Sequence, residues 1–188
     1  WYPAAAPSTT ETAPHPYLDQ PEKRMGAFAQ AMGLPKFLVE HIREVRTHSL
    51  YGQAVHPDTN KLPIVVFSHG LGGMKSQNTI QAEELASHGY VVIAADHAFD
   101  AYLTIFDDGT TADYRSSGSE IHTEAEFWAV RGPQLSARTQ DVRFILDEIS
   151  ARKFDSEGDT ATPAHALWQR LDLTRIGVFG HSFGGATS

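Results

Sequence analysis

Nothing restricts the fold of this chain more than the stretch from Arg175 to Ser188, RIGVFGHSFGGATS. RIGVF is a short strand-like run. Gly180-His181-Ser182-Phe183-Gly184 follows at once and fits the G-x-S-x-G elbow, where a serine is held at a sharp turn between a strand and a helix. Glycine at 180 and 184 has a physical reason, because the turn brings backbone against backbone and a Cβ at either site crowds it. Three fixed letters in five arise readily by chance, and Gly-Ser pairs are common in loops. The strand directly before and the small residues directly after, Gly184, Gly185 and Ala186, favour an elbow.

An elbow needs a parallel sheet behind it, and the chain supplies one. Lys61–Phe67, KLPIVVF, is an uninterrupted apolar run suited to a strand covered on both faces. The glycine-rich SHGLGGMKSQ follows, then TIQAEELASHG, a surface helix stopped by Gly89. Tyr90–Ala95, YVVIAA, is a second core strand, so the unit is βαβ with a right-handed crossover. Residues 96–120 form a polar excursion longer than an ordinary strand-to-helix connection. A helix is expected at 121–131 and another opening at Pro133, with Leu135, Val142, Ile145, Leu146 and Ile149 as its apolar stripe. FDSEGDTATP reads as a loop, and Ala164–Leu171 as a short helix before the last strand.

Ahead of the sheet, residues 4–21 are rich in proline, threonine and alanine and read as an extended surface loop. Two short helices follow. PEKRMGAFAQAMG places Met25, Phe28, Ala29 and Met32 at helical spacing, and PKFLVEHIREV does so with Phe37, Leu38, His41 and Ile42, the pair closed at Gly33-Leu34-Pro35. This insertion at about 21–44 is either a packing element or a cap near a pocket mouth. VRTHSLYGQAV, 45–55, supplies at most a peripheral strand. The architecture is a three-layer α/β sandwich with a mostly parallel sheet, expected to be the N-terminal portion of one domain truncated after the elbow.

A serine hydroxyl is a poor nucleophile until a base takes its proton and a third group orients that base. In this arrangement the acid and histidine follow the serine in chain order. The sequence given ends at Ser188, and Ser182 is the one triad member expected to have a position in it. His181 is its neighbour, but an elbow turns that side chain away, towards packing or hydrogen bonding beneath the sheet edge. Asp96 and His97 end the second core strand, on the side where ligands bind in open α/β sheets. They read as loop-ordering residues or, less readily, as an alternative acid–base pair. The oxyanion hole is better represented. Its expected donors are the N–H of Phe183, directly after the serine, and that of Leu71 in His69-Gly70-Leu71-Gly72-Gly73. That loop lacks the G-K-[ST] ending of a nucleotide-binding loop and the G-x-G-x-x-G dinucleotide pattern.

Composition removes other classes. With 41% hydrophobic and 20% charged residues the chain is an ordinary globular one. Its net charge of -8, without a lysine–arginine block, speaks against nucleic acid as a partner. The absence of cysteine excludes disulfides, thiol catalysis and thiolate metal sites, and fits an exported or a cytosolic protein. No run approaches the apolar length of a membrane span. His15, His41, His48 and His56 lack metal-ligand spacing. His122, Glu124 and Glu126 read as a solvated helix start, and 107–113 lacks the closing glutamate of a calcium loop. No cofactor and no metal are expected.

IVVFSHGLGG, ELASHGYVVIAADH and IGVFGHSFGGAT together resemble the platelet-activating-factor acetylhydrolase family of the α/β-hydrolases, the plasma-type, lipoprotein-associated phospholipase A2 group and its bacterial relatives. The opening WYPA is similar to that family's early YYP strand. The resemblance implies an α/β-hydrolase fold and calcium-independent hydrolysis of short or oxidised acyl groups of phospholipids. Among bacterial relatives it implies broad carboxylesterase, lipase or polyester hydrolase activity. Carried over, Ser182 is expected as the nucleophile and Leu71 and Phe183 as the oxyanion donors; His69, Gly70, Gly180, His181 and Gly184, the other residues of the two motifs, are expected in support. The family's glutamate-histidine-arginine-aspartate run stands here as Asp96-His97-Ala98-Phe99-Asp100. The expected partners are an ester or lipid substrate and a complementary C-terminal chain carrying the triad aspartate and histidine. Secretion of a full-length form is left open. The competing expectation is a non-catalytic fragment or binding module, and a haloperoxidase-like hydrolase stands further off.

Overall fold

The computed structural model describes residues 1–7, 13–115, 121–155 and 163–188. Its centre is a parallel three-stranded sheet in the order β2-β1-β5, from β1 (Leu62–Ser68), β2 (Val91–Ala95) and β5 (Leu171–Gly180). The first two strands arise where the apolar β-branched runs lie. In β1 successive side chains face opposite layers. Ile64 and Val66 enter a core with Val142 and Ile149 of α3 (Glu124–Asp155), and Leu167 and Trp168 of α4 (Pro163–Arg170) pack beside it. Phe67 enters the opposite core, with Ala82 and Leu85 of α2 (Thr79–Ser87) and with Val92 and Phe179. Each fully buried Val, Ile or Phe contributes roughly 1.5–3 kcal/mol. The result is helix, sheet, helix, as an α/β chain requires.

Register fixes what the sheet presents at its C-terminal edge. Phe67 lies opposite Phe179 and Ser68 opposite Gly180. The chain therefore leaves two adjacent parallel strands at the same level, and His69-Gly70 emerges beside His181-Ser182. The second of these exits leads into α5 (Phe183–Thr187).

Helix α1 (Pro21–Met32) begins with proline at its first position and ends on Gly33 at φ 63, as expected. It buries Arg24, Met25 and Ala29. The second expected helix is instead two 3-10 turns, Lys36–Leu38 and Glu40–Glu44. With three residues per turn the apolar face rotates. Val39 goes inside with Leu18, Met25 and Ala29, while Phe37 is 70% exposed. Residues 45–55 form no strand; two isolated bridges, Ala4–Val55 and Pro16–Arg46, pair this region with the N-terminal segment.

Two further expectations are corrected. Within 96–120 lies a β-hairpin, β3 (Leu103–Ile105) antiparallel to β4 (Thr111–Asp113), turned at Asp108-Gly109 with Gly109 at φ 84. The two helices read at 121–131 and from Pro133 are one helix, α3, with Pro133 inside it. Proline removes a single backbone donor, and the bonds on either side carry the helix across it. Of the loops expected at 4–21, 96–120 and 154–163, residues 8–12, 116–120 and 156–162 lie outside the described residues.

Candidate active site

Ser182 joins β5 to α5 at φ 53, ψ −121, one of three non-glycine residues with positive φ among the described residues. Such backbone is strained for an L residue and persists only where its surroundings enforce it. Here they do. The N–H of His181 donates to the Ser68 carbonyl (3.1 Å), that of Gly184 to the His181 carbonyl (2.8 Å), and that of Gly185 to the Ser182 carbonyl (2.9 Å). A Cβ on Gly180 would overlap the Gly184 carbonyl, and one on Gly184 would overlap the Ser68 carbonyl. Both glycines are therefore needed for contact between backbones.

Ser182 is exposed and lines a cavity of about 320 Å3 together with Gly70, Leu71, Met74, Gln77, Tyr17, Tyr102 and His181. Among the described residues no side chain hydrogen-bonds its hydroxyl. Gly70 packs directly on this serine; a Cβ there would lie 3.3 Å from the Ser182 Cβ.

The loop after β1 is tied down at nearly every backbone group. Gly70 N–H donates to Gln77 Oε1 (3.3 Å), Gly72 N–H to the Asp100 carbonyl (2.8 Å) and Gly73 N–H to the Gly70 carbonyl (3.0 Å). Within 70–73 only the N–H of Leu71 has no acceptor among the described residues. Its peptide partner, the Gly70 carbonyl, also accepts from His69 Nδ1 (2.6 Å). Two donors thus fix that carbonyl, and a trans peptide aims the Leu71 N–H the opposite way. The N–H of Phe183, at the start of α5, is likewise without an acceptor among the described residues.

His69 makes that clamp work. It is fully buried, and its Nε2 accepts the N–H of His97 (2.9 Å), so the proton resides on Nδ1. Burial, with the nearby His97 and Arg138 adding to it, lowers its pKa to about 4, against a weaker upward pull from the Gly70 carbonyl. The ring is neutral at pH 7.

Asp96 and His97 do not act as a pair. Asp96 accepts from Arg24 Nη2 (2.9 Å) and from the Lys75 N–H (2.6 Å). His97 lies between Ser68 Oγ (2.8 Å on Nε2) and Asp141 Oδ2 (2.8 Å on Nδ1). Ser68–His97–Asp141 has the connectivity of a triad, but Ser68 is fully buried. Both residues order loops. His181, read as packing beneath the sheet, is instead exposed on the cavity wall with Nδ1 2.9 Å from Gln77 Nε2. The tight turn carries it outward, over Gly70.

Sequence reasoning missed Tyr17, Met74, Gln77 and Tyr102 in the cavity wall and the buried arginines Arg24 and Arg138. Arg138 stands three residues after Leu135 and four before Val142, on the very stripe read as apolar, which was the available signal. Arg24 Nε reaches Asp19 Oδ1 (2.8 Å), and its Nη1 reaches the Leu103 carbonyl (2.7 Å), tying α1 to the hairpin. Burial alone would raise the Asp19 carboxyl, but Arg24 and Lys75 outweigh it and hold it low. Helix α1 also walls the cavity indirectly, since Phe28 meets Tyr102 edge-on at 5.2 Å. Among the described residues no group of three or more His, Asp or Glu could hold a metal ion, and no helix is long and apolar enough to cross a membrane.

The family model described as "Platelet-activating factor acetylhydrolase, isoform II" matches residues 1–188. A platelet-activating factor acetylhydrolase of Canis lupus familiaris is 33% identical over 139 residues, covering 68% of this chain and 31% of the relative. That of Bos taurus is 30% identical over 176 residues, covering 83% and 39%. A probable 1-alkyl-2-acetylglycerophosphocholine esterase of Arthroderma benhamiae is 29% identical, covering 70% and 28%. Among solved structures, a ferulic acid esterase from Streptomyces cinnamoneus superposes with a TM-score of 0.66 at 29% identity, covering all of this chain and 44% of that one. The chain thus spans well under half the length of the relatives it matches.

Proposed function

This chain belongs to the platelet-activating factor acetylhydrolase family, with an α/β-hydrolase fold, and on that premise we propose that it carries the nucleophile and oxyanion hole of a serine ester hydrolase. The observation that carries the proposal is the placement of Ser182. It stands strained and exposed at the end of β5, on a cavity it shares with Leu71, whose N–H is the one in residues 70–73 without an acceptor among the described residues. In acylation Ser182 Oγ attacks the ester carbonyl carbon and its proton passes to a general base. The carbonyl oxygen takes the charge, and the N–H groups of Leu71 and Phe183 donate to it. The tetrahedral intermediate collapses, the alkoxide leaves as the alcohol with that proton, and water then releases the acid.

The base and its orienting acid are proposed to come from a part of the full protein beyond this chain. The short coverage of the relatives supports that reading, as does a Ser182 hydroxyl without a side-chain partner among the described residues. The cavity of about 320 Å3, walled by Tyr17, Leu71, Met74 and Tyr102, has room for a short acyl group beside Ser182. Acetyl or oxidised acyl esters of phospholipids are the proposed substrates. A broader carboxylesterase is the second reading, favoured by the two tyrosines that could flank an aromatic acyl group. Ser182→Ala in the full-length protein is expected to lower turnover of p-nitrophenyl acetate by at least about 10⁴-fold. Retention of most of the rate would remove Ser182 from this role.

A further inference from the structure

Arg138 lies in α3, away from the cavity, yet it touches both halves of the site. Its side chain is almost entirely buried. Nη2 donates to Ser68 Oγ (3.2 Å) and to the His69 carbonyl, and Nη1 to Asp100 Oδ2 (3.4 Å). The guanidinium carbon stands 5.3 Å from the centre of the Phe183 ring. Burying a guanidinium is costly, and a lysine or an apolar side chain would fill this space at less cost if packing were the only demand.

These contacts bear on the N–H groups of the proposed oxyanion hole, the His69 and Phe183 contacts directly and the Ser68 and Asp100 contacts through the backbone around them. The His69 carbonyl begins the peptide whose other end, the Gly70 N–H, is held by Gln77. Locking that peptide on both sides sets the next one, which carries the Leu71 N–H. Ser68 Oγ, with Arg138 on its lone pair, donates its own proton to His97 Nε2, and His97 Nδ1–H donates to Asp141. That order satisfies Ser68 Oγ and both ring nitrogens of His97 and holds the end of β1 against the end of β2, while Arg138 Nε has no partner among the described residues. Asp100, paired to the same guanidinium, accepts the Gly72 N–H at its own carbonyl. On the other side the cation sits on the face of Phe183, whose N–H is the second donor.

We infer that Arg138 is a positioning residue that sets the Leu71 and Phe183 N–H groups relative to each other through one planar guanidinium. The inference rests on the ester-hydrolase reading above. Its consequence is specific: losing the fork misaligns donors that matter only when charge develops on the substrate oxygen. Misalignment of this kind costs roughly 10²-fold in rate, with ground-state binding largely untouched.

The test uses three variants of the full-length protein. Arg138→Lys keeps the charge opposite Asp100 but cannot fork to Ser68 and His69. Arg138→Met removes the fork outright. Arg138→Met with Asp100→Asn does so while also removing the negative charge that faces the guanidinium, which guards against a variant that fails to fold. With p-nitrophenyl acetate, all folded variants are expected to lose about 10-fold to 100-fold in kcat with KM within about 2-fold. Affinity for a boronic acid that mimics the tetrahedral state is expected to fall by a similar factor. Wild-type kcat and boronate affinity in Arg138→Lys would overturn the inference, as would a rise in KM that accounts for the whole loss. If Ser182→Ala itself keeps the wild-type rate, the underlying reading falls and this inference with it. If Ser182→Ala is inactive while the Arg138 variants turn over normally, this inference alone is overturned.

Discussion

At Gly184 an added Cβ would overlap the Ser68 carbonyl, and both belong to backbone that cannot move without parting β1 from the elbow. Gly184→Ala is therefore expected to destabilise by about 3 kcal/mol, at the upper end of overpacking costs. Gly132, in the interior of α3, has nothing within 4 Å of its would-be Cβ, and Gly132→Ala is expected to stabilise by roughly 1 kcal/mol. Urea denaturation of the two variants checks both signs. His69 makes the residue scale pH-dependent. Its folded-state pKa, lowered to about 4 chiefly by burial, lies below the unfolded value near 6.5. The unfolded chain therefore takes up the proton first as pH falls. Stability from this residue is present above about pH 6.5 and is lost progressively down to about pH 4, by roughly 3 kcal/mol in all. Nitrogen NMR of the imidazole is expected to show His69 still neutral, with its proton on Nδ1, at pH 5; a protonated ring at pH 6 would contradict the clamp.

Among the elements, α1 depends on Arg24, whose guanidinium bridges Asp19, Asp96 and the Leu103 carbonyl. Arg24→Met leaves the buried Asp96 carboxylate without that counter-charge. It is expected to cost about 3–5 kcal/mol, read by denaturant unfolding. Element type was legible wherever hydrophobic period and length agreed, as in Leu62–Ser68, Thr79–Ser87 and Val91–Ala95. It failed for identifiable reasons. Asp108-Gly109 between LTIF and TTAD is a hairpin signal hidden inside a stretch that looks uniformly polar. Pro133 suggested a boundary because proline usually opens a helix, but one lost donor does not end a helix of 32 residues. At 36–44 a 3-10 winding turned Val39 inward where an α-helical period points to Phe37 and Leu38.

For the molecule as a whole, the arrangement that matters is the parallel pairing of β1 with β5, two strands more than a hundred residues apart in the chain. The glycines of HGLGG and GHSFGG were legible because each answers a local demand for close backbone approach. The polar scaffold beneath them was not, because Arg138, Asp100, Ser68 and Asp141 meet only through tertiary contact and no spacing announces them. Nor does sequence say that Asp96 and His97, adjacent in the chain, serve different networks. The central claim is that this scaffold exists to present one serine. Treating the full-length protein with a fluorophosphonate and mapping the adduct by peptide mass spectrometry tests that most directly. The account predicts a single stoichiometric adduct on Ser182, and an adduct on another residue, or none at Ser182, would contradict it.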